Sequence, residues 1–575
     1  MTQTGAEDAM AVDPYFSDPR LQSLIGPGGP FEVEEIILDG VPVRSFVRAP
    51  RTIMEIFQLG KAHADLVHLV YYDERWTFAD VRRRALSTAR ELKTRYGVRP
   101  GDRVAIAMRN YPEFFIGFWA TAALGAVIVP LNSWWTGFEL AYALKDAGAK
   151  VVFADQERIE RLASTGVETS GVAVVAVRTD RSAGDGLVHA ADLMAGEPLA
   201  ESEFADLGPD DPVTILYTSG TTGHPKGALG TNRGHIASFL NMSFMAARDM
   251  IITGRTTGEP RQPASIGSAP LFHIGGVAIA LGGQLHGSKT VLVRKWDLVE
   301  ALTLAEKEGV TSFGGVPTTA RQILDYPRLS DYKLRLNGFT MGGAAVPPDL
   351  PGRALEAFGS VQLLNGYGST ETSSAVVANV GDEYAQHPRS IGRPNLTADL
   401  RVEDPDGLPV GPGQIGELCF RSPQIVKEYW NNPEATREAI VDGWFHTGDL
   451  GYVDEDGFVY VVDRLKDVVI RGGENVYCAE VEAILFKHPD IADAAVLGVP
   501  DPVMGERVCA VVVPRDGAEI EFAALRNYLT QYLAYFKAPE ALIVTDEVPK
   551  TATGKIAKNE LRKLVADEPE RIQRI

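Results

Sequence analysis

The chain has 575 residues, of which 45% are apolar and 23% are charged, and its formal net charge is −20. This length is too great for a single hydrophobic core, so we expect at least two domains. The composition is close to that of folded soluble proteins and excludes a disordered or fibrous chain. The net negative charge disfavours binding to nucleic acid or anionic lipid, although small polyanions such as nucleotides can still bind locally.

The three cysteines, Cys419, Cys478 and Cys509, have neither CxxC spacing nor a histidine beside them in the sequence. This pattern predicts buried thiols rather than a zinc site. The first residues lack the basic and apolar regions of a signal peptide, so we expect a cytoplasmic location.

The most apolar stretch, residues 114–129, is shorter than the roughly 20 residues that cross a bilayer. It predicts a buried helix from about Pro112, a stop at Gly125, and then a strand that ends at Pro130.

Helix and strand patterns alternate through most of the chain. Residues 91–110 and 143–155 each combine an amphipathic helix, a glycine-containing turn and a β-branched strand, and similar strands recur up to about residue 319. The alternation predicts an α/β fold with mostly parallel sheets. After about residue 395, short alternating runs indicate antiparallel strands or a small barrel. We therefore predict a large domain over 1–463 and a small, mobile α+β domain over 464–575.

The segment 213–227, VTILYTSGTTGHPKG, runs from a β-branched strand into a loop rich in glycine, serine and threonine. Backbone N–H groups, hydroxyls and Lys226 in such a loop can donate to a triphosphate. It is not a Walker A loop, because Pro225 and Gly227 flank that lysine. Any short part of the segment would be an ordinary surface turn. The predicted phosphate-binding residues are Thr218, Ser219, Gly220, Thr221, Thr222 and Gly223.

The loop TSGTTGHPKG resembles the signature loop of the adenylate-forming superfamily, which includes acyl-CoA synthetases such as fatty-acid–CoA ligases, peptide-synthetase adenylation domains and firefly-type luciferases. Further motifs similar to those of the superfamily follow in the same order along the chain. They are 269–273, 342–345, 365–371, 444–449 and 549–556. The order matters because each motif alone is an unremarkable turn or core segment.

The resemblance implies a role for each matching residue in nucleotide binding. Thr370 would meet the α-phosphate, and Glu371 would ligate Mg²⁺, which prefers hard oxygen ligands. Asp449 would hold both ribose hydroxyls with help from Arg464. The remaining nucleotide-binding residues that it implies are Gly343, Ala344, Ala345, Asn365, Gly366, Tyr367, Gly368 and Ser369.

The resemblance also implies residues for the acid, the thiol and the moving domain. Phe272, His273 and Gly315 would border the acyl pocket and the thiol route, within segments 273–277, 313–317 and 366–368. Glycines there suggest room for a bulky apolar acid, or else tight backbone packing at strand ends. Lys555 would be the main catalytic residue, acting with Lys226 and Thr370. Lys466 would be the hinge, and Gly472 and Gly473 would flank the pantetheine tunnel before a helix capped by Asn475.

The predicted enzyme uses ATP with Mg²⁺ to convert a fatty, aryl or alicyclic acid to acyl-AMP and then transfers the acyl group to coenzyme A. Catalysis would rest on positioning and charge stabilisation, without a protein nucleophile. The alternatives are a ligase that loads a carrier-protein phosphopantetheine or stops at acyl-AMP, a luciferase-type oxidase, and a non-catalytic nucleotide-binding module. No nucleic-acid partner is expected, and a homodimer is left open.

Overall fold

In this computed structural model, the described residues are 16–166, 171–180, 187–218, 225–254, 261–267, 269–550 and 556–574. The chain packs as two compact units, of which unit 1 comprises Met1–Asp399 with Phe420–Phe445, and unit 2 comprises Leu400–Cys419 with His446–Ile575. Residues 400–419 and 446–463 therefore pack with the C-terminal part of the chain. The boundary at 463/464, as the limit of a moving domain, stays a prediction.

Unit 1 contains an eight-stranded sheet whose central strands are parallel. At one edge the chain turns back in a hairpin, so the strand Lys226–Thr231 runs antiparallel to both of its neighbours. In spatial order the strands are Glu428–Tyr429, Lys226–Thr231, Pro212–Thr218, Val127–Pro130, Arg103–Ala107, Ala149–Asp155, Ala173–Val177 and Val188–His189.

The second large sheet of unit 1 has nine strands, with six parallel strands in its centre and antiparallel strands at both edges. In spatial order they are Arg393–Pro394, Ser374–Val380, Gln362–Ser369, Gly338–Gly342, Ser312–Gly315, Ala264–Gly267, Lys289–Leu292, Val67–Tyr71 and Glu74–Thr77. A separate hairpin pairs Val33–Leu38 with Val41–Phe46.

Helices connect the parallel strands, and their ends follow local sequence signals. The helix Gly137–Ala147 begins with a capping box of Thr136 and Glu139 and ends at Gly148, whose φ of 58° favours glycine. The other helices of unit 1 are Gln22–Ile25, Ile53–Leu59, Phe78–Arg95, Pro112–Ala123, Gln156–Ser164, Ala190–Ala195, Asn232–Thr253, Ile274–His286, Leu298–Glu308, Pro317–Leu324, Leu350–Phe358, Gly381–Gln386 and Pro433–Ala439.

The apolar stretch around residue 120 folds as predicted. The helix Pro112–Ala123 is buried throughout, Gly125 takes a φ of 66°, and the strand Val127–Pro130 follows. Among the described residues, every helix is too short or too polar to span a membrane. The cytoplasmic location stays a prediction.

A smaller sheet of five strands follows residue 398, as the change of pattern near residue 395 predicted. Its strands are Asp399–Glu403, Gly416–Arg421, Trp444–Val453, Ile440–Val441 and Val459–Arg464. This sheet has an open strand order within the described residues, so the barrel-like closure suggested by the sequence does not form. The α/β fold class itself is confirmed.

The C-terminal part of unit 2 is an α+β domain with a six-stranded sheet. Its strands are Val469–Arg471, Glu474–Val476, Ile491–Asp501, Gly505–Pro514, Ala541–Val544 and Gln573–Arg574, and its helices are Cys478–Leu485, Phe522–Leu529 and Lys558–Asp567. The predicted cap at Asn475 is wrong, because Asn475 lies within a strand and Tyr477 precedes the helix.

Candidate functional site

The base of the glycine-rich loop lies where two strands of the eight-stranded sheet meet. Strand Pro212–Thr218 ends and strand Lys226–Thr231 begins at the same level, with Thr218 opposite Lys226. The Thr218 hydroxyl donates to the Lys226 carbonyl over 3.4 Å. The predicted phosphate-binding residues Ser219, Gly220, Thr221, Thr222 and Gly223, and the predicted catalytic Lys555, lie outside the described residues.

The structure brings Glu371 and Lys226 to the same side chain, Tyr429. The Tyr429 hydroxyl donates to Glu371 Oε1 over 2.8 Å, and Lys226 Nζ lies 5.3 Å from the centre of the Tyr429 ring. Burial and the neighbouring carboxylate raise the pKa of Tyr429 far above its usual range, so the hydroxyl remains a donor. Tyr429 therefore fixes the orientation of the predicted metal ligand beside the predicted phosphate-binding lysine.

The turn that carries Thr370 and Glu371 has an unusual backbone. Ser373 and Ser374 take φ values of 50° and 104°, which non-glycine residues rarely adopt. The Thr372 hydroxyl donates to Ser374 O over 2.6 Å and accepts from Ser369 N over 2.8 Å. A Cβ at Gly368 would lie 1.9 Å from Ser374 O, so only glycine fits there. Such local strain is typical of functional turns.

The predicted adenine turn follows the neighbouring strand Gly338–Gly342. Gly343 takes a φ of 77°, and Gly343, Ala344 and Ala345 are exposed. A Cβ at Gly342 would come within 2.8 Å of Gly366 O. Close strand packing thus explains Gly342. Two of the predicted binding residues lie on the next strand. Asn365 is buried there, whereas Tyr367 is half-buried, with its ring centre 6.2 Å from the ring centre of Phe420.

Asn110, which lies on the side of the eight-stranded sheet, holds the segment that carries Phe272 and His273. Asn110 Oδ1 accepts from Leu271 N over 2.9 Å, and its Nδ2 donates to Ala269 O over 3.3 Å. Phe272 is buried, and its ring centre lies 4.3 Å from that of His273, which precedes the helix Ile274–His286. The predicted acyl-pocket motif is therefore positioned by an amide outside it.

Three neighbouring parallel strands of the nine-stranded sheet end in glycine, and the next strand, Gln362–Ser369, has Gly366 beside the end of the third. Gly267 lies opposite Gly314, Gly342 lies opposite Gly366, and Gly315 pairs with Met341 between them. Among the described residues, a Cβ at Gly314 would meet nothing within 4 Å, and one at Gly267 would meet only Gly314 O at 3.8 Å. Within the three predicted segments, close packing explains Gly276 and Gly368, where a Cβ would lie 1.9 Å from Leu271 O and from Ser374 O, whereas Gly314 borders open space among the described residues. The acyl-pocket role of these segments stays a prediction.

In unit 2, the predicted ribose residues Asp449 and Arg464 face each other on paired antiparallel strands. Arg464 Nε lies 3.2 Å from Asp449 Oδ1, and the Asp449 N–H donates to the Thr447 hydroxyl over 3.0 Å. Gly448 takes a φ of 70° and donates its N–H to Glu417 Oε1 over 2.8 Å. This arrangement leaves carboxylate and guanidinium side by side.

Cys419 lies near a histidine in space, although none is near it in the sequence. Its Sγ lies 3.4 Å from His446 Nδ1, which is 3.0 Å from Glu417 Oε2. Burial and the carboxylates of Glu417 and Glu403 raise the pKa of Cys419 above its usual range, so the thiol stays protonated. All three cysteines are buried and free, as predicted.

The predicted hinge residue Lys466 lies in a short 3₁₀ helix, Leu465–Asp467. Burial of its ammonium group is the main cause that lowers the pKa of Lys466, and the nearby Arg464 guanidinium is the next. Arg562, from the last helix, donates to Asp467 Oδ1 over 2.5 Å and to Lys466 O over 3.4 Å. The helix that follows position 555 is thus bonded directly to the predicted hinge.

Gly472 and Gly473 form the two-residue turn of a β-hairpin, in which Arg471 pairs with Glu474. Their φ values are 58° and 88°, as a hairpin turn with two left-handed residues requires. A Cβ at Gly473 would meet none of the described residues within 4 Å, whereas one at Gly472 would lie 2.6 Å from Met504 Cε, so the turn is open only at Gly473 within the described part of the chain. The predicted roles of the turn and of the other site residues stay predictions.

The sequence did not single out Asn110, Tyr429 or Arg562. Each acts through another residue by one or two hydrogen bonds across a long sequence separation. A lone Asn, Tyr or Arg gives no signal without a motif, so only the folded chain identifies them.

Two family models match the chain. The model described as AMP-binding enzyme matches residues 57–430, and the model described as AMP-binding enzyme C-terminal domain matches residues 480–555. The first match includes the predicted phosphate-binding loop and Tyr429.

Individual relatives agree with the family models. Feruloyl-CoA synthase of Amycolatopsis sp. is 39% identical over 85% of this chain and 93% of its own length. Long-chain-fatty-acid–CoA ligase FadD13 of Mycobacterium tuberculosis is 33% identical over 85% and 93%. The structure of the anthranilate CoA ligase AuaEII with anthranoyl-AMP superposes with a TM-score of 0.79 at 26% identity, covering 90% of this chain and 98% of that one.

Proposed function

This chain belongs to the AMP-binding enzyme family and is an ATP-dependent, AMP-forming acyl-CoA ligase, and from that premise we propose that its acid is a planar aromatic carboxylic acid. The observation that carries the proposal is the open space beside Gly314 among the described residues. Glycine backbones present a flat surface, against which an aromatic ring can lie more closely than against side chains. Feruloyl-CoA synthase and the anthranilate CoA ligase, whose names specify aromatic acids, support this choice.

Within this reaction, the residues at the base of the loop would hold the triphosphate of ATP. Lys226 and Thr218 supply a positive charge and a hydroxyl there, together with Ser219, Thr221 and Thr222. Lys555 would neutralise charge between the carboxylate and the α-phosphate as acyl-AMP forms. Because the acid carboxylate and ATP are both anions, bringing them together is the main work of these groups.

The donors around Glu371 fit Mg²⁺, because a carboxylate and the neighbouring Thr370 hydroxyl are hard oxygen ligands. Tyr429 holds one oxygen of that carboxylate, which fixes its direction. Bound there, Mg²⁺ would neutralise phosphate charge and make pyrophosphate a better leaving group.

The second half-reaction would need a rearrangement about Lys466. In it, the segment from residue 464 onward turns, Lys555 leaves the site, and the hairpin turn at Gly472 and Gly473 borders the thiol of CoA. The thiol attacks the acyl carbon, a C–S bond forms, and AMP leaves with the electrons of the broken C–O bond. The thiol proton passes to solvent or to a basic group.

A panel of acids tests the substrate class. Ferulate, anthranilate, benzoate, cyclohexanecarboxylate and palmitate are compared by pyrophosphate release and by mass spectrometry of the thioester. We expect the highest kcat/KM for an aromatic acid. A higher kcat/KM for palmitate would replace the aromatic proposal with a fatty acid.

The division of labour is tested with Lys555→Ala. Acid-dependent pyrophosphate exchange should be lost, while thioester formation from supplied acyl-AMP should largely persist. Loss of both reactions in a folded variant would contradict the proposed role of Lys555.

A further inference from the structure

The five-stranded sheet of unit 2 brings together a thiol, an imidazole and a carboxylate from three different strands. They belong to Cys419, His446 and Glu403. The strand that carries Cys419 lies between the other two, and one ligand atom of each side chain lies within 4.8 Å of the others. Sulfur, imidazole nitrogen and carboxylate oxygen are the atoms that bind Zn²⁺ in proteins.

The distances within this cluster fit a tetrahedral zinc ion. Cys419 Sγ lies 3.4 Å from His446 Nδ1. Zn–S and Zn–N bonds at a tetrahedral angle place those two atoms about 3.5 Å apart. Glu417 Oε2 lies 3.0 Å from the same nitrogen, where a shared zinc ion requires about 3.3 Å. These contacts would therefore change by no more than about 0.3 Å on binding.

The cluster also contains a carboxylate that is almost completely buried. Glu403 is 4% exposed, and its Oε1 lies against Arg401 Nη2 without accepting a hydrogen bond from any described residue. Cys419 is fully buried, whereas His446 and Glu417 are half-buried. A buried carboxylate is unfavourable unless its charge and its hydrogen-bonding capacity are both compensated. A cation among the three ligand atoms would complete that compensation.

The charges balance around a divalent ion. A thiolate and the carboxylates of Glu403 and Glu417 carry three negative charges, and Zn²⁺ with the Arg401 guanidinium carries three positive charges. Binding would release the thiol proton of Cys419 to solvent, while His446 would keep its single proton on Nε2. Although burial raises the pKa of this thiol, a metal-bound thiol is deprotonated outright.

We propose that four side chains of unit 2 bind a structural zinc ion, and they are Cys419, His446, Glu403 and Glu417. Protein side chains would fill all four positions, as in other structural zinc sites, so no position is open to substrate. The ion would join three neighbouring strands. It would also fix Glu417, whose Oε1 accepts from Gly448 N over 2.8 Å. This inference goes beyond the proposed function and does not depend on which acid is activated.

Cobalt tests the ligand set in the full chain, purified without a histidine tag and kept reduced. A thiolate bound to Co²⁺ gives a charge-transfer band in the near ultraviolet, and tetrahedral coordination gives strong visible bands. We expect both to saturate at about one equivalent of Co²⁺ and to disappear when Zn²⁺ is added. Excess Mg²⁺ should leave them unchanged, because Mg²⁺ prefers oxygen ligands. A titration without the charge-transfer band would overturn the inference.

Variants identify the ligands. Cys419→Ala should abolish the charge-transfer band, and His446→Gln should weaken Zn²⁺ binding at least about a hundredfold in competition with a chromophoric chelator. Cys509→Ala is the matched control, because it removes another fully buried cysteine of unit 2 and should keep the band. Glu371→Gln changes the predicted Mg²⁺ ligand and should also keep it. A band that survives in Cys419→Ala would indicate adventitious cobalt and overturn the inference.

Thermal unfolding tests the structural role of the ion. Zn²⁺ should raise the unfolding midpoint of the original protein and of Cys509→Ala, and a chelator should reverse the rise. Glu403→Gln keeps the size of the side chain but removes its charge, so its midpoint should respond much less. An equal rise in Glu403→Gln would overturn the assignment of Glu403. The cobalt spectrum of the original protein decides the inference even if a variant does not fold.

Discussion

The two parallel sheets of unit 1 end in opposite ways at their carboxyl edges. In the nine-stranded sheet, neighbouring strands end in glycine, and open space lies beside Gly314. In the eight-stranded sheet, the corresponding edge carries Arg109, Asp155 and Trp134. The direction of the strands determines where a site can form, and the residues that follow each strand determine which ligand fits it.

The two edges also differ in how they affect the stability of the folded protein. A glycine edge loses side-chain packing but leaves no charge to be compensated. An arginine edge must bury guanidinium groups, and Arg158 is fully buried. Because a buried charge requires a partner, Asp155 is needed for stability in a way that no residue of the glycine edge is.

Asp155→Asn should therefore produce the largest loss of stability. Asp155 accepts from Arg158 Nε over 2.6 Å and from Arg109 N over 3.1 Å. Asparagine can keep the helix cap but removes the buried counter-charge of Arg158 and leaves only the partly exposed Glu157 to pair with it, which should cost about 3 kcal/mol of unfolding free energy. Urea unfolding measures the loss.

Asp331→Asn is the matched control, since it removes an exposed carboxylate that pairs with Arg328. It should change stability by less than about 1 kcal/mol. Equal losses in the two variants would show that the arginine edge does not depend on its buried carboxylate.

Glu371→Gln tests the other edge, because Glu371 follows the strand Gln362–Ser369. Glutamine keeps the size of the side chain and can still accept from Tyr429, but it removes the charge that would hold Mg²⁺. We expect pyrophosphate exchange to fall about a thousandfold. The rate is measured across a range of Mg²⁺ concentrations.

Tyr429→Phe keeps the carboxylate and removes only the hydroxyl that orients it. Its loss of exchange activity should be about tenfold, since one hydrogen bond is removed. A loss in Glu371→Gln as small as this would argue against a metal-binding carboxylate at this position.

The sequence predicted the alternation of helices and strands and the ordered motifs, because periodicity and glycine-rich turns are local signals. The helix Pro112–Ala123 and the strand that follows it show this. The arginine edge was not predicted, because Arg109, Glu157 and Arg294 are separated in the chain and meet only when parallel strands align. Asn475 was wrongly predicted to be a helix cap because its strand pairing with Ile470 is not visible in the sequence.

Gly314→Leu sharpens the comparison at the open end of the glycine edge. The added side chain has space around its Cβ, so the fold should tolerate it, but it would occupy the volume proposed for the aromatic ring. We expect kcat/KM for the preferred aromatic acid to fall about a hundredfold, with a much smaller change for acetate. Steady-state kinetics with both acids measure the difference.

Gly342→Ala is the companion variant at a packed glycine. Its Cβ would approach Gly366 O to 2.8 Å, so we expect lower thermal stability and equal losses for both acids. If Gly314→Leu also affected both acids equally, the open space beside Gly314 would not be the acid site.

Each of the two sheets also has a buried, neutral histidine in it or packed against it. Burial lowers the pKa of His68, in the nine-stranded sheet, and of His235, 2.7 Å from Thr214 of the eight-stranded sheet, to about 4. The unfolded chain therefore binds the proton first as pH falls, and stability is lost between about pH 6.5 and pH 4. From pH 7 to pH 5, each histidine should contribute a loss of about 2 kcal/mol. His235→Asn should reduce the acid sensitivity of unfolding by that amount, and unchanged sensitivity would show that His235 does not stay neutral in the folded protein.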